Sequence, residues 1–199
     1  MTYDLLALQK EVRERLPEKR YLHTLGVAHT GAGLALRYGE DMTAAFLAGL
    51  FHDIAKPYSD KKMLEKCRKH GIFISEVEER NPYLLHGKLG AWITENKFHI
   101  EVPGILSAIT FHTTGRADMT DMEKIVFLAD YMEPNRPEVP GLSQVRKTAF
   151  QNLETAVYMV LRDTVEYLSN HPEKEMDAQT MEAFRFYQKK GHHDEKTGR

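Results

Sequence analysis

An adjacent histidine–aspartate pair, His52-Asp53, lies at the end of the apolar run AAFLAGLF. A helix that is apolar on every side belongs in the protein interior, where a histidine and a carboxylate are costly unless something compensates them. A divalent metal does so, because imidazole nitrogen and carboxylate oxygen are suitable ligands for iron, manganese or zinc. The pair therefore indicates a metal site, and the alternative is a solvent-exposed helix end with two ordinary polar residues.

Four other apolar segments each carry one metal-competent side chain. They are His23 in EKRYLHTLGVAHT, His86 in YLLHGKLGAW, His112 in ILSAITFHTTG and Asp130 in KIVFLADYMEP. A buried histidine with its own hydrogen-bond partner would explain any one of them. It explains the whole set poorly, because each residue would need a separate partner. The set predicts one site to which five helices contribute.

The elements that must position these residues are helical. Apolar residues recur at spacings of three and four, and proline, glycine and capping residues separate the periodic segments. No alternating strand pattern of useful length is present. The pattern predicts helices over 5–16, 18–38, 41–56, 60–70, 83–96, 102–115, 120–132, 144–169 and 176–189. We expect an all-α helical bundle forming one domain over residues 1–190, with a polar tail over 191–199.

Composition limits the classes of function. The chain has 199 residues, of which 42% are hydrophobic and 28% charged, and this mix is typical of a soluble domain. Its net charge of −2 gives no general attraction to nucleic acid or anionic lipid. Cys67 is the only cysteine, so neither an intrachain disulfide nor a Cys-based zinc finger is possible. Neither a signal peptide nor a run of roughly 20 apolar residues is found, and we expect a cytoplasmic enzyme without nucleic-acid or membrane partners.

These residues resemble those of a known superfamily. The order His23, His52-Asp53, Asp130 is similar to the H…HD…D signature of the HD phosphohydrolases. A closer resemblance is to the bacterial symmetrical dinucleoside-tetraphosphate hydrolases, the YqeK family. The segments that carry it are RYLHTLGVAHT, GLFHDIAKP, NPYLLHGKLGAW, ITFHTTGRADMTDMEKIVFLADYMEPNR and PGLSQVR, from about residue 20 to 147.

The resemblance implies an HD-domain helical bundle that hydrolyses diadenosine tetraphosphate to two ADP. It implies a divalent transition metal, iron ahead of manganese, zinc, cobalt or magnesium, bound by His23, His52, Asp53 and Asp130. The nucleotide-binding positions it implies are Arg20, His23, Lys56, His86, His112, Thr113, Asp130 and Arg136.

Three basic residues have the charge and spacing to bind phosphate. Lys56 lies one turn beyond Asp53, and Arg136 can hold a phosphate through two parallel hydrogen bonds. Arg20 lies three residues before His23, on the same helix face. A solvated surface charge is the alternative for each.

His86 and His112 have two alternative roles. They are either further metal ligands or donors to the phosphate and the leaving oxygen. We favour donors, because the neighbouring Thr113 suits hydrogen bonding to phosphate. In this interpretation the catalytic residues are Asp53, Lys56, His86 and His112.

Other functions fit parts of this pattern. An HD-type (deoxy)nucleotide phosphohydrolase or nucleotidase acting on mononucleotides would share all four ligands. A two-metal cyclic-dinucleotide phosphodiesterase usually carries a Gly-Tyr-Pro motif, which is not found near His112. A non-catalytic alarmone-binding module would be favoured by loss of the HD pair, but both residues are present. Helical bundles of this size often pair, so we also expect a homodimer.

Overall fold

The computed structural model describes residues 3–171 and 173–197, with side chains up to residue 190. Helices form all the regular structure in these ranges, which confirms the all-α prediction. In chain order the helices are α1 (Leu5–Arg15), α2 (Glu18–Tyr38), α3 (Met42–Phe51), α4 (Asp60–Lys69), α5 (Glu76–Arg80), α6 (His86–Phe98), α7 (Pro103–Phe111), α8 (Asp121–Met132), α9 (Leu142–Ala149), α10 (Leu153–Ser169) and α11 (Ala178–Thr197). A 3-10 turn, Pro82–Leu85, leads directly into α6.

Helices α2 and α3 pack closely at the centre of the bundle. Asp41 caps α3 by accepting hydrogen bonds from the backbone N–H groups of the first turn, as the sequence predicts. Every residue from Ala45 to Phe51 is buried. Gly49 makes the close approach possible, because a Cβ there would lie 2.7 Å from the Cα of Ala28 on α2. The end of α3 is therefore held firmly against the middle of the bundle.

Helices α7 and α8 pack on α3, and α8 also packs on α2. Helix α8 begins with a capping box between Thr120 and Glu123, which fixes its start. The C-terminal ends of α3, α7 and α8 converge on the N-terminal third of α2. These helix ends carry the polar residues singled out by the sequence.

Two predicted boundaries near the site are wrong. Helix α3 ends at Phe51, and residues 52–57 form consecutive turns, so the helix does not continue to Pro57. Helix α7 ends at Phe111, and residues 112–114 form a turn. Both changes have the same consequence: His52, Asp53, and His112 lie just past a helix end, where the local backbone carbonyls are free to accept hydrogen bonds.

The C-terminal half also differs from the prediction. The helix predicted over 144–169 is two helices, because Asn152 accepts a hydrogen bond from the Thr155 N–H and starts α10 afresh. Helix α5 was not predicted, although Ser75 and Glu78 form a capping box at its start. Helix α11 reaches Thr197, beyond the predicted end at 189. The side chains of 191–199 lie outside the described residues, so the polar tail there stays a prediction.

Candidate metal centre

Four histidines and two aspartates meet at one buried point. His23 lies within α2, His86 is the first residue of α6, and Asp130 is in the last turn of α8. His52 and Asp53 follow α3, and His112 follows α7. The four buried members are at most 3% exposed: His52, Asp53, His86 and His112. The helix ends thus bring together residues separated by up to about a hundred positions in the sequence.

One group of side chains surrounds Asp130. Its Oδ1 atom lies 3.1 Å from His23 Nε2 and 3.8 Å from His52 Nε2. Asp53 Oδ2 lies 3.4 Å from His52 Nε2 and 3.9 Å from His23 Nε2. Within the described part of the chain, His23 Nε2, His52 Nε2 and Asp53 Oδ1 are buried without a hydrogen-bond partner. Buried polar atoms of this kind need a partner, and a divalent cation fits a set of imidazole and carboxylate donors.

A second group lies on the other side of Asp53. The Nε2 atoms of His86 and His112 are 3.0 Å apart, and they lie 3.5 and 3.9 Å from Asp53 Oδ1. Each ring donates its Nδ1–H to a backbone carbonyl, at 2.6 Å for His86 and 2.7 Å for His112. In the neutral rings each Nε2 atom therefore carries a lone pair and no proton, and the two lone pairs face each other. The Thr113 hydroxyl lies within 3.1 Å of both but can donate its single proton to only one.

Burial leaves the two rings of this second group neutral. It lowers the pKa of His86 well below its ordinary value, and the charge of His112 lowers it further. It also lowers the pKa of His112 to about 4, with a further contribution from His52. Neutral imidazoles are the form that binds metal ions.

Both aspartates are ionised despite being buried. Burial alone would raise the pKa of each carboxyl group, but contacts with neighbouring rings outweigh it. His52 lowers the pKa of Asp53, and the close contact with the His23 ring lowers that of Asp130. Burial likewise would lower the pKa of His52, yet the charge of Asp53 raises it above the ordinary value. The centre therefore holds two negative charges that favour a cation.

Two arginines contact the aspartates directly. Arg20 Nη1 donates to Asp53 Oδ2 at 2.7 Å. Arg136 Nη2 donates to Asp130 Oδ1 at 2.6 Å, and its Nε donates to the Asp130 carbonyl at 2.8 Å. Neither arginine is a solvated surface charge. Each still has N–H groups in excess of these bonds, so binding of phosphate by Arg20 and Arg136 stays a prediction.

Lys56 is a partly buried amine beside the same centre. Burial lowers its pKa, and the nearby Asp53 carboxylate opposes that shift. Among the described residues its Nζ makes no hydrogen bond or ion pair, whereas its backbone N–H donates to the Asp53 carbonyl at 3.0 Å. The side chain is therefore available to an anionic ligand.

Two adjoining cavities lie on one side of this centre. The inner one, of about 270 Å³, is lined by His112, Thr113, Asp130 and Arg136 among others. The outer one, of about 600 Å³, shares four lining residues with it: Thr113, Tyr131, Val139 and Thr164. Cavities of this size accommodate small-molecule ligands.

Comparison with known proteins agrees with this geometry. Residues 20–135 match the family model of the HD domain. The chain is 37% identical to the symmetrical bis(5'-nucleosyl)-tetraphosphatase of Bacillus subtilis and 41% identical to that of Halalkalibacterium halodurans. Each alignment covers 79% of this chain and 83% of the relative.

A solved structure extends the similarity to the fold. The crystal structure of an HD superfamily hydrolase from Clostridium acetobutylicum, described as involved in NAD metabolism, is 35% identical and superimposes with a TM-score of 0.90. The match covers 96% of this chain and all of the other. Within the described residues, no helix is long and apolar enough to cross a membrane.

Proposed function

Because this chain belongs to the HD-domain family and, within it, to the symmetrical bis(5'-nucleosyl)-tetraphosphatases, we propose that its buried centre hydrolyses diadenosine tetraphosphate to two ADP. The chain is a hydrolase that cleaves a phosphoric anhydride. The observation that carries the assignment to this centre is the cluster of His23, His52, Asp53 and Asp130. In the described structure three of its buried atoms, His23 Nε2, His52 Nε2 and Asp53 Oδ1, lack hydrogen-bond partners.

His23, His52, Asp53 and Asp130 are the residues that would hold the metal. When bound there, a divalent ion lowers the pKa of water from about 16 toward neutrality and so supplies the nucleophile at pH 7. We propose iron, the metal that the resemblance to the YqeK family implies, and two imidazoles with two carboxylates are ligand types that iron accepts. Arg20 and Arg136 hold the two carboxylates in place through the hydrogen bonds described above.

Phosphate binding falls to Lys56, Arg136 and Thr113, of which Arg136 and Thr113 line the inner cavity. Lys56 Nζ carries a charge without a partner in the described residues, and Arg136 lines the cavity wall. The Thr113 side chain lines the same cavity. A tetraphosphate carries several negative charges, and further charge develops on the equatorial oxygens during transfer. Lys56 and Arg136 would neutralise part of this charge.

For His86 and His112 we propose ligation of a second cation in place of the donor role favoured by the sequence. Neutral rings that give their Nδ1 protons to backbone carbonyls have no Nε2 proton for a phosphate oxygen. Their Nε2 atoms are 3.0 Å apart, and the nearby Asp53 Oδ1 has no hydrogen-bond partner in the described residues. Both observations favour a cation bound by the two rings and Asp53. The homodimer and the cytoplasmic location expected from the sequence stay predictions.

The expected reaction products distinguish the alternatives. Metal-loaded protein given diadenosine tetraphosphate should release only ADP, and it should turn over ATP and dGTP more slowly. Chromatography of the products from each substrate measures this. Primary formation of AMP and ATP would reject symmetrical cleavage while leaving the HD fold intact. Faster turnover of dGTP would favour the mononucleotide phosphohydrolase instead.

A further inference from the structure

Glu133 is a buried carboxylate that none of the proposed functions uses. It follows the last residue of α8 and is 1% exposed. His23 Nδ1 donates to its Oε1 at 3.1 Å, and the Asn135 backbone N–H donates to its Oε2 at 2.7 Å. An ionised carboxylate is costly to bury unless it accepts hydrogen bonds of this kind. The two hydrogen bonds therefore stabilise the Glu133 carboxylate in its buried position.

His23 needs this carboxylate because of where it lies. His52 and His112 follow helix ends and donate Nδ1–H to the free carbonyls of Gly49 and Ile109, each at 2.7 Å. His23 is the sixth of the 21 residues of α2. The carbonyls on the preceding turn of an α-helix are engaged by the backbone, so a ring in that position needs a side-chain acceptor.

We propose that Glu133 is a positioning residue for the metal centre, acting through His23. By accepting the Nδ1 proton it fixes the tautomer and the ring orientation that turn the Nε2 lone pair toward Asp130. Residues that hold a ligating histidine in this way typically contribute 10–100-fold in metal affinity. The inference rests on the proposed metal centre, and its test is separate from the test of activity.

The surrounding residues keep the Glu133 carboxylate in one position. Gly26 lies on α2 one turn beyond His23, and a Cβ there would collide with Glu133 Oε2. On the opposite side, Arg146 donates to the Met132 carbonyl at 3.0 Å and to the Glu133 carbonyl at 3.1 Å. The backbone is fixed by Arg146, and the space for the carboxylate exists because residue 26 has no side chain.

Two variants disturb Glu133 independently. In Glu133→Gln the side chain has a single acceptor oxygen where two N–H donors arrive, so it cannot serve both His23 and Asn135. In Gly26→Ala the carboxylate is chemically intact but displaced. Competition against a chelator measures the affinity for Zn²⁺ and Mn²⁺. Both variants are expected to bind each metal roughly 10–100-fold more weakly than wild type.

Matched controls separate this effect from loss of stability. Glu123 is an equally buried carboxylate at the other end of α8, paired with Arg116 at 2.7 Å and remote from the centre. Gly33 lies on α2 with no atom within 4 Å of an added Cβ. Glu123→Gln and Gly33→Ala should therefore keep wild-type metal affinity.

The tautomer of His23 gives a readout that needs no metal. Long-range ¹H–¹⁵N spectra of the metal-free protein should show the wild-type ring protonated at Nδ1, with the signal assigned by its loss in His23→Gln. Glu133→Gln should shift it toward a mixture of tautomers. Metal affinities within twofold of wild type in both Glu133→Gln and Gly26→Ala would overturn the proposal. A wild-type protein that binds no metal would instead refute the centre itself.

Discussion

Asp53→Ala is expected to remove the metal from the purified protein and to abolish hydrolysis of diadenosine tetraphosphate. Asp53 is the residue shared by both groups of ligands: Oδ2 faces His52 and Oδ1 faces His86 and His112. Without it, the second group has no carboxylate, the first keeps only that of Asp130, and Arg20 loses its partner. We expect the affinity for the metal to fall by more than the roughly 10–100-fold that is typical when a residue hydrogen-bonded to a ligand is removed.

Elemental analysis and product formation by the same preparation measure this. Asp60→Ala is the matched control, because Asp60 is an exposed carboxylate in the first turn of α4. That variant should keep both its metal and its rate. Full metal occupancy in Asp53→Ala would mean that the ion binds elsewhere.

Lys56→Ala should lower kcat about a hundredfold while the metal content stays normal. Removing a charge that stabilises the transition state costs on the order of 3 kcal/mol. The structure favours this role because the amine is partly buried, lies beside Asp53 and makes no ion pair in the described chain. If the charge acts equally on substrate and transition state, KM rises and kcat survives.

Steady-state kinetics with parallel metal analysis distinguish these outcomes. Lys61→Ala provides the control, since Lys61 is an exposed lysine on the neighbouring helix α4. Wild-type kcat and KM in Lys56→Ala, with normal metal content, would place the phosphates on another side of the centre.

The helices could be predicted because their signals are local. Caps and apolar periodicity predicted the helices from Glu18 to Tyr38 and from Asp121 to Met132 within about one residue. The break at Asn152 was missed because a single capping residue interrupts an otherwise continuous apolar pattern. The end of α3 was missed because Ile54 and Ala55 continue the apolar pattern into the turns that follow, and the end of α7 because the predicted break was placed at Gly115.

The residues of the site could be predicted from the sequence more completely than the contacts among them. The residue types and their apolar surroundings pointed to His23, His52, Asp53 and Asp130, which the structure brings together. Sequence spacing could not show that Arg136 bonds to Asp130, because the contact depends on the turn that follows α8.

The roles of His86 and Glu133 depend on contacts that no local pattern contains. The Tyr83 carbonyl accepts the Nδ1 proton of His86. This contact decides whether His86 Nε2 can donate a hydrogen bond. Glu133 carried one available signal, as a charged residue three positions after Asp130 at the end of an apolar helix. Its contact with His23 joins residues 110 positions apart in the sequence.

The most direct test of the account is a metal titration of the wild-type protein. Metal is stripped with a chelator, Fe²⁺ is returned stepwise without oxygen, and bound ions and ADP from diadenosine tetraphosphate are measured at each step. We expect no ADP without metal, and ADP formation that rises with bound iron until the centre is filled. Release of ADP by the stripped protein at the rate of the loaded protein would contradict it.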